Sequence, residues 1–179
     1  MPLKDLLFGF KGRIRRRDWW LWGIAVAVAW TVTTGAIGGA LLGMSWSTGF
    51  LGGAGLPRGW TFTAYGVVSF APLLWIQAAL AAKRAHDRNH GAALAVSLTV
   101  LAGLLAFMPE IADLVVGAAL TDDQFDAFAV AINIATGAIN LYLLVVLGFL
   151  DGTPGPNRFG RSPKGIGGDL PDQTAKVFS

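Results

Sequence analysis

The chain has 179 residues, of which 54% are hydrophobic and only 14% charged, and its mean hydropathy is +0.55. A soluble domain of this length needs more charge to cover its surface, so the composition excludes an ordinary soluble protein and indicates an integral membrane protein. The absence of cysteine excludes disulfides, thiolate metal sites and cysteine nucleophiles.

A short amphipathic helix is predicted at the start of the chain. Leu3, Leu6, Leu7 and Phe10 fall at positions i, i+3, i+4 and i+7, which form one face of a helix. We expect this helix to lie in the cytoplasmic membrane interface and to end near Gly9.

Four long apolar runs follow. Their only charged residue is Asp126, at the outer edge of the last run. Since about 20 apolar residues cross a ~30 Å hydrocarbon core, we expect an all-α fold with four transmembrane helices. The runs are Trp19–Leu42, Phe62–Ala82, Ala92–Met108 and Phe125–Leu150.

The first run carries small residues at every fourth position, namely Thr31, Gly35, Gly39 and Gly43. Such G-x-x-x-G steps let a second helix approach closely, either in a dimer or within the bundle. We favour packing within the bundle, because three other helices of the same chain are available. The glycine-rich loop 43–61 is expected in the outer interface, and a re-entrant, substrate-admitting loop is the alternative.

Prolines and glycines mark the two middle runs. Pro72 predicts a kink in the second helix, Gly91 marks its end and the start of the third helix, and Pro109 interrupts the third run. The spacing of Thr121 and Gln124 is that of a capping box, so the fourth helix is expected to begin there.

The fourth run carries a polar stripe. We expect this stripe to point into the bundle, because polar amides in hydrocarbon must face protein or water. Its members are Asn133, Thr136, Gly137 and Asn140. After the run, we expect one membrane domain over 1–156 and a loose cytoplasmic tail over 157–179.

The charges are strongly asymmetric. All but one of the 14 Lys and Arg residues lie in residues 1–18, in the loop 83–88 and in the tail, which share one side if there are four spans. The positive-inside rule then places both termini in the cytoplasm and the protein in a bacterial inner membrane. Anionic lipid headgroups explain this positive surface, and nucleic acid is not an expected partner. A homo-oligomer or a second membrane protein is an open alternative.

Three segments at this side carry most of the polar chemistry: 12–20, 83–91 and 152–160. Here the chain resembles the DUF805 family of small bacterial inner-membrane proteins, which shows a Gly-Arg-x-x-Arg-x-x-aromatic-Trp segment, an Arg-x-His-Asp loop and a Gly-x-x-Gly-x-Asn-Arg-Tyr/Phe-Gly segment. The chain departs from this pattern at Lys83, where Arg is common, and at His90-Gly91, where Ser-Gly is common. The resemblance implies a multi-pass inner-membrane fold and no particular activity. The matching residues are Gly12, Arg13, Arg16, Trp19, Trp20, Arg84, His86, Asp87, Gly152, Gly155, Asn157, Arg158, Phe159 and Gly160.

These segments are expected to converge into one cluster of candidate site residues. Two interpretations stay open. Asp87 accepts hydrogen bonds from several arginines and locks the segments together, or the arginines form an anion pocket for a lipid headgroup or phosphorylated ligand. The expected members are Arg13, Arg16, Arg84, His86, Asp87, Asn157 and Arg158.

The sequence offers little for catalysis. His86 and His90 have i, i+4 spacing with Asp87 between them, but a third strong ligand is missing, so we expect no metal and no cofactor. No Ser/His/Asp grouping is suggested on one membrane face. The sequence therefore favours a non-enzymatic protein, with a small-molecule permease using the polar stripe as the main alternative and an enzyme acting on lipid headgroups as the third.

Overall fold

The computed structural model describes residues 2–42, 60–116 and 119–165, and within these residues the fold is all-α, as predicted, with no β-strand beyond one isolated bridge. The helices are α1 (Leu3–Phe8), α2 (Arg16–Leu42), α3 (Trp60–Asp87), α4 (Ala92–Leu105), α5 (Met108–Val116) and α6 (Asp122–Leu143), which continues as a π-helical segment (Leu144–Phe149). Gly43 and residues 44–59 of the glycine-rich loop lie outside the described residues.

Among the described residues, three helices are long and apolar enough to cross a membrane, namely α2, α3 and α6 with its π-helical segment. A fourth span exists if α4 and α5, which meet at a bend of 41°, are counted as one. The bend falls at residues 106–107. Pro109 occupies the first turn of α5, where a backbone N–H would have no partner within the helix, so proline is tolerated there.

Helix α3 is the centre of the bundle and packs against α1, α2 and α4. Its second half is rich in buried alanines, whose small side chains let the neighbouring helices approach closely. Leu74 of α3 lies over Gly103 of α4, where an added Cβ would be 2.7 Å from Leu74 Cδ1. Pro72 lies inside α3 without ending it.

Helix α1 forms where a helix was predicted and packs against α3, but it ends at Phe8 and leaves Phe10 outside the helix. Leu6 and Leu7 contact the buried cluster of Ile14, Ile76 and Leu80. The ammonium of Lys83 donates to the Leu6 carbonyl at 2.6 Å, which satisfies a carbonyl that the short helix leaves free.

Helix α2 runs along α3, and the Tyr65 hydroxyl of α3 donates to the Thr34 carbonyl of α2. Gly35 and Gly39 lie half-buried just beyond Thr34. Near its beginning, α2 meets the π-helical segment at Gly148, where an added Cβ would be 3.1 Å from the Trp20 ring.

The start of α6 is as predicted. The Gln124 N–H donates to Thr121 Oγ1 at 3.3 Å, and the Thr121 N–H donates to Gln124 Oε1 at 3.1 Å, which completes the capping box. The expectation that the polar stripe points into the bundle is wrong for Asn133, Gly137 and Asn140, which are exposed in the single chain, whereas Thr136 is half-buried and its Oγ1 is buried. Helix α6 packs on α4 and α5.

Candidate functional site: a buried arginine–aspartate network

Residues from three distant parts of the chain meet at one end of the bundle, which we call the charged end. Arg13 precedes α2, Asp87 is the last residue of α3, and Thr153 follows the π-helical segment. Gly12 has a φ of 92°, a left-handed conformation that suits glycine and turns the chain from α1 toward α2.

Asp87 accepts hydrogen bonds from two arginines, one on each carboxylate oxygen. Arg13 donates to Oδ1 from Nε at 3.1 Å and from Nη2 at 3.0 Å, and Arg84 donates to Oδ2 from Nη1. The Asp87 residue is 3% exposed. Its backbone carbonyl accepts from the Thr153 N–H at 2.8 Å and the Thr153 hydroxyl at 2.9 Å. Both the side chain and the backbone of Asp87 therefore hold other segments in place.

The remaining N–H groups of the Arg13 guanidinium donate to backbone carbonyls. Nη1 donates to Gly155 at 2.8 Å and to Gly160 at 3.1 Å, and Nη2 donates to the Thr153 carbonyl at 2.9 Å. Arg13 is only 6% exposed. Each of its three nitrogens is engaged, so no donor remains for a ligand.

Arg84 binds the C-terminal end of the π-helical segment. It is fully buried, and its Nε donates to the Leu147 carbonyl at 2.8 Å while Nη2 donates to the Leu150 carbonyl. The carbonyls at the C-terminal end of a helix lack intrahelical partners and carry partial negative charge, which a guanidinium neutralises. Arg84 therefore joins this helix end to Asp87.

Two further side chains cap the same helix end. Trp20 Nε1 donates to the Gly148 carbonyl at 3.1 Å, and Arg16 Nη1 donates to the Phe149 carbonyl at 3.0 Å. Together with the Arg84 contacts, these bonds engage four consecutive carbonyls, 147–150. The π-helical winding breaks the regular i to i−4 pattern, and side chains of α2 and α3 supply the missing donors.

Gly152 fits the network because it has no side chain. A Cβ added at this position would lie 1.8 Å from Asp87 Oδ2 and 2.5 Å from Asp87 Cγ. Any other residue would have to displace the carboxylate, so the glycine is a steric requirement of the Arg13–Asp87–Arg84 arrangement.

Asn157 ties the last described segment to α3. Its Nδ2 donates to the His86 carbonyl and to Thr153 Oγ1, both at 2.9 Å, and its Oδ1 accepts from the Phe159 N–H at 2.9 Å. A tight turn brings Gly160 back to Asn157 through paired backbone hydrogen bonds of 3.1 and 3.0 Å. Asn157 is thus held against α3, so contacts with the helices extend beyond the expected boundary at residue 156; residues 166–179 lie outside the described residues.

His86 lies beside the network rather than inside it. Its ring stacks on Phe159, with centroids 4.0 Å apart and an interplanar angle of 14°, and its Nδ1 lies 3.2 Å from the Gly12 carbonyl oxygen. The guanidinium of Arg158 lies 4.7 Å from the Phe159 centroid and donates to the Asn89 carbonyl at 3.2 Å. His86 therefore joins the middle segment to the last by stacking on Phe159, and to the first through the Gly12 carbonyl.

The predicted cluster needs one correction. Arg16 and Arg158 are exposed and do not contact Asp87; Arg16 lies 3.5 Å from Asp151 at the surface. Two arginines, not four, face the Asp87 carboxylate. With both of its oxygens and both buried guanidiniums engaged, the network has no vacant position for an anion.

Several contributors were not predicted as site residues, and three of them donate hydrogen bonds from their side chains. Thr153 bonds to both Arg13 and Asp87, Trp20 caps Gly148, and Lys83 binds α1. Lys83 could have been identified as a buried contributor from the sequence, since it directly precedes Arg84 at the end of an alanine-rich run. Within the described ranges, no group of three or more His, Asp or Glu side chains is placed to hold a metal ion.

The family described as "Protein of unknown function (DUF805)" matches residues 7–161, which include every residue of the network. Two relatives are the uncharacterized protein YiiR of Escherichia coli strain K12 and YiiR of Escherichia coli O157:H7. Each is 28% identical to this chain over 170 residues, covering 93% of both chains. No solved structure matches. Because the family match spans most of the sequence, the chain belongs to the DUF805 family.

Proposed function

We propose that this chain is a non-enzymatic protein of the bacterial inner membrane whose charged end faces the cytoplasm and binds anionic lipid. In this proposal the Arg13–Asp87–Arg84 network is a structural lock that holds the charged end in one conformation. The observation that carries the proposal is the complete engagement of the buried network, beside basic side chains on the same end that remain available to a ligand.

The meeting of Arg13, Asp87 and Thr153 supports four membrane passes. The chain leaves the charged end after Arg13, returns to that end at Asp87, and returns to it a second time at Thr153. Each return requires an even number of passes, so α4 and α5 together act as the third pass. The excess of Lys and Arg at this end supports a cytoplasmic placement.

The geometry favours the lock over an anion site at Asp87. An anion would have to compete with Asp87 for Arg13 and Arg84, and it would have to break carbonyl contacts of Arg84 at the end of the fourth span. Removing such a buried contact costs about 1–3 kcal/mol for each group left without a partner. Lipid is therefore expected to bind the basic side chains around the network.

The permease alternative receives no comparable support. Asn133 and Asn140 of its polar stripe lie on the exposed face of α6 in the described part of the chain.

Native mass spectrometry of the full chain released from detergent tests the proposal. We expect phosphatidylglycerol to remain bound after phosphatidylcholine has dissociated, because only the first carries net negative charge. Equal retention of the two lipids would contradict the proposed lipid binding and would leave the structural lock as the sole role of the charged end.

A further inference from the structure

A separate cavity lies at the charged end, on the side of α3 facing α4 and α6. Its volume is about 420 Å³, within the range usual for small-molecule sites. The last turn of α3, the beginning of α4 and the end of the fourth span form its walls. The residues that matter for its chemistry are Arg88, His90, Leu94, Tyr142 and Val146.

The polar side of this cavity carries positive charge that the fold does not use. Arg88 is half-buried and His90 exposed, and in the described part of the chain neither side chain makes a hydrogen bond or an ion pair. This separates Arg88 from Arg13 and Arg84, in which each guanidinium nitrogen makes at least one hydrogen bond.

Backbone hydrogen bonds fix the turn that carries both residues. The Asn89 N–H donates to the His86 carbonyl at 3.0 Å, and the His90 N–H donates to the Ala85 carbonyl at 3.0 Å. Asn89 has a φ of 61°, so this is the left-handed turn that ends many helices. Arg88 and His90 therefore leave a rigid turn at defined positions on the cavity rim.

The other side of the cavity is apolar and open toward the surroundings of the bundle. Leu94 is 59% exposed and Tyr142 46% exposed, with Val146 beside them. In a membrane these side chains meet acyl chains. The Tyr142 hydroxyl has no hydrogen-bond partner among the residues that the structure describes, so it is available to a polar group at the level of the headgroups.

We propose that this cavity is a specific site for an anionic phospholipid. The phosphodiester lies against Arg88 and His90, the Tyr142 hydroxyl donates to a phosphate or ester oxygen, and one acyl chain runs along Leu94 and Val146. A guanidinium supplies charge-assisted hydrogen bonds to phosphate, and the apolar wall selects a lipid over a soluble phosphate ester. The inference rests on the proposed function, since it names the site where the anionic lipid binds.

The test compares two substitutions that remove one positive charge each. Arg88→Gln removes the free guanidinium of the cavity, whereas Arg17→Gln removes an exposed guanidinium that lies 3.6 Å from Asp18 and away from the cavity. We expect Arg88→Gln to lower the affinity for phosphatidylglycerol about tenfold, as expected for one charge-assisted hydrogen bond, and Arg17→Gln to lower it less than twofold. His90→Gln is an independent variant on the same rim, and thermal melts in detergent should show that all three proteins stay folded.

The outcomes separate the two proposals. If the parent protein retains phosphatidylglycerol selectively and Arg88→Gln and His90→Gln retain it equally well, the cavity is the wrong site and the proposed function stands. If the parent protein shows no preference for phosphatidylglycerol, both proposals fail. If glycerol 3-phosphate displaces the lipid at equal concentration, the site binds a soluble phosphate ester and the lipid assignment is overturned.

Discussion

Arg13 and Asp87 are 74 positions apart, yet two nitrogens of the Arg13 guanidinium donate to a single oxygen of the Asp87 carboxylate. The other carboxylate oxygen of Asp87 accepts a hydrogen bond from Arg84, so each arginine has its own acceptor. One buried carboxylate thus separates two buried cations. The charge balance of the buried network depends on this single side chain.

Asp87→Asn should destabilise the protein strongly. It leaves Arg13 and Arg84 buried without their counter-charge, and breaking a buried ion pair costs about 3–5 kcal/mol. The free energy of unfolding in detergent measures the loss.

Asp151→Asn is the matched control for Asp87→Asn, because its carboxylate is 71% exposed and pairs with Arg16 only at the surface. Exposed pairs contribute about 0–1 kcal/mol, so this variant should unfold nearly as the parent does. Equal stabilities of the two variants would contradict the lock.

Arg13→Lys should also destabilise the protein, although it keeps the charge. An ammonium cannot reach the Asp87 carboxylate together with the carbonyls of Gly155 and Gly160, so acceptors are left unpaired at about 1–3 kcal/mol each. Denaturation in detergent should show this loss, whereas Arg17→Lys, at an exposed position, should show almost none. A parent-like Arg13→Lys protein would mean that charge alone holds the segments together.

Gly152→Ala should disturb the network by steric overlap. The new Cβ would meet Asp87 Oδ2 at 1.8 Å, so the carboxylate or the chain must move, and overpacking of this kind costs about 1–3 kcal/mol. Gly155→Ala is the control, because nothing lies within 4 Å of its added Cβ. We expect melting temperatures to fall for the first variant and to stay unchanged for the second; the reverse order would contradict the described packing.

The proposed membrane topology of the protein can be measured with reporter fusions. Fusions at Ser179 and within 89–91 should report the cytoplasm, and fusions near Gly53 and Thr121 should report the periplasm, because nearly all Lys and Arg residues lie on the first side. A periplasmic reporter at Ser179 would require an odd number of passes.

Gly35→Leu and Gly39→Leu should weaken the packing of α2. Both glycines are half-buried near the Tyr65–Thr34 contact, where a leucine would push α2 from α3 at a cost of about 1–3 kcal/mol. Gly23→Leu is the comparison, since nothing lies within 4 Å of its added Cβ. If all three variants melt at the temperature of the parent, Gly35 and Gly39 face lipid instead.

The helical fold and the convergence of three segments could be predicted from the sequence, because the signals for them lie within short stretches of the chain. Apolar runs of spanning length and the Thr121–Gln124 capping box require no knowledge of tertiary contacts. The sequence could not tell which arginines are buried, because all of them satisfy the same charge rule. Arg13 and Arg84 are buried where they reach the Asp87 carboxylate and backbone carbonyls of later segments, whereas Arg158 donates to the Asn89 carbonyl at the surface.

The exposure of Asn133 and Asn140 could not be predicted from the sequence for a related reason. The rule that amides avoid hydrocarbon predicts that they find a polar environment, but it does not say that the same chain provides it. The packing face of α6 is set by α4 and α5, and only the tertiary structure shows which face that is.

The contacts of Arg13 also impose an order on synthesis. Arg13 is synthesised before α2, whereas the carbonyls of Thr153, Gly155 and Gly160 that accept its hydrogen bonds are synthesised after all the helices that the structure describes. A nascent chain that has not reached residue 160 therefore holds an incompletely paired arginine beside Asp87, however well those helices have inserted. Complete pairing of Arg13 thus depends on synthesis of the segment that follows the π-helical residues.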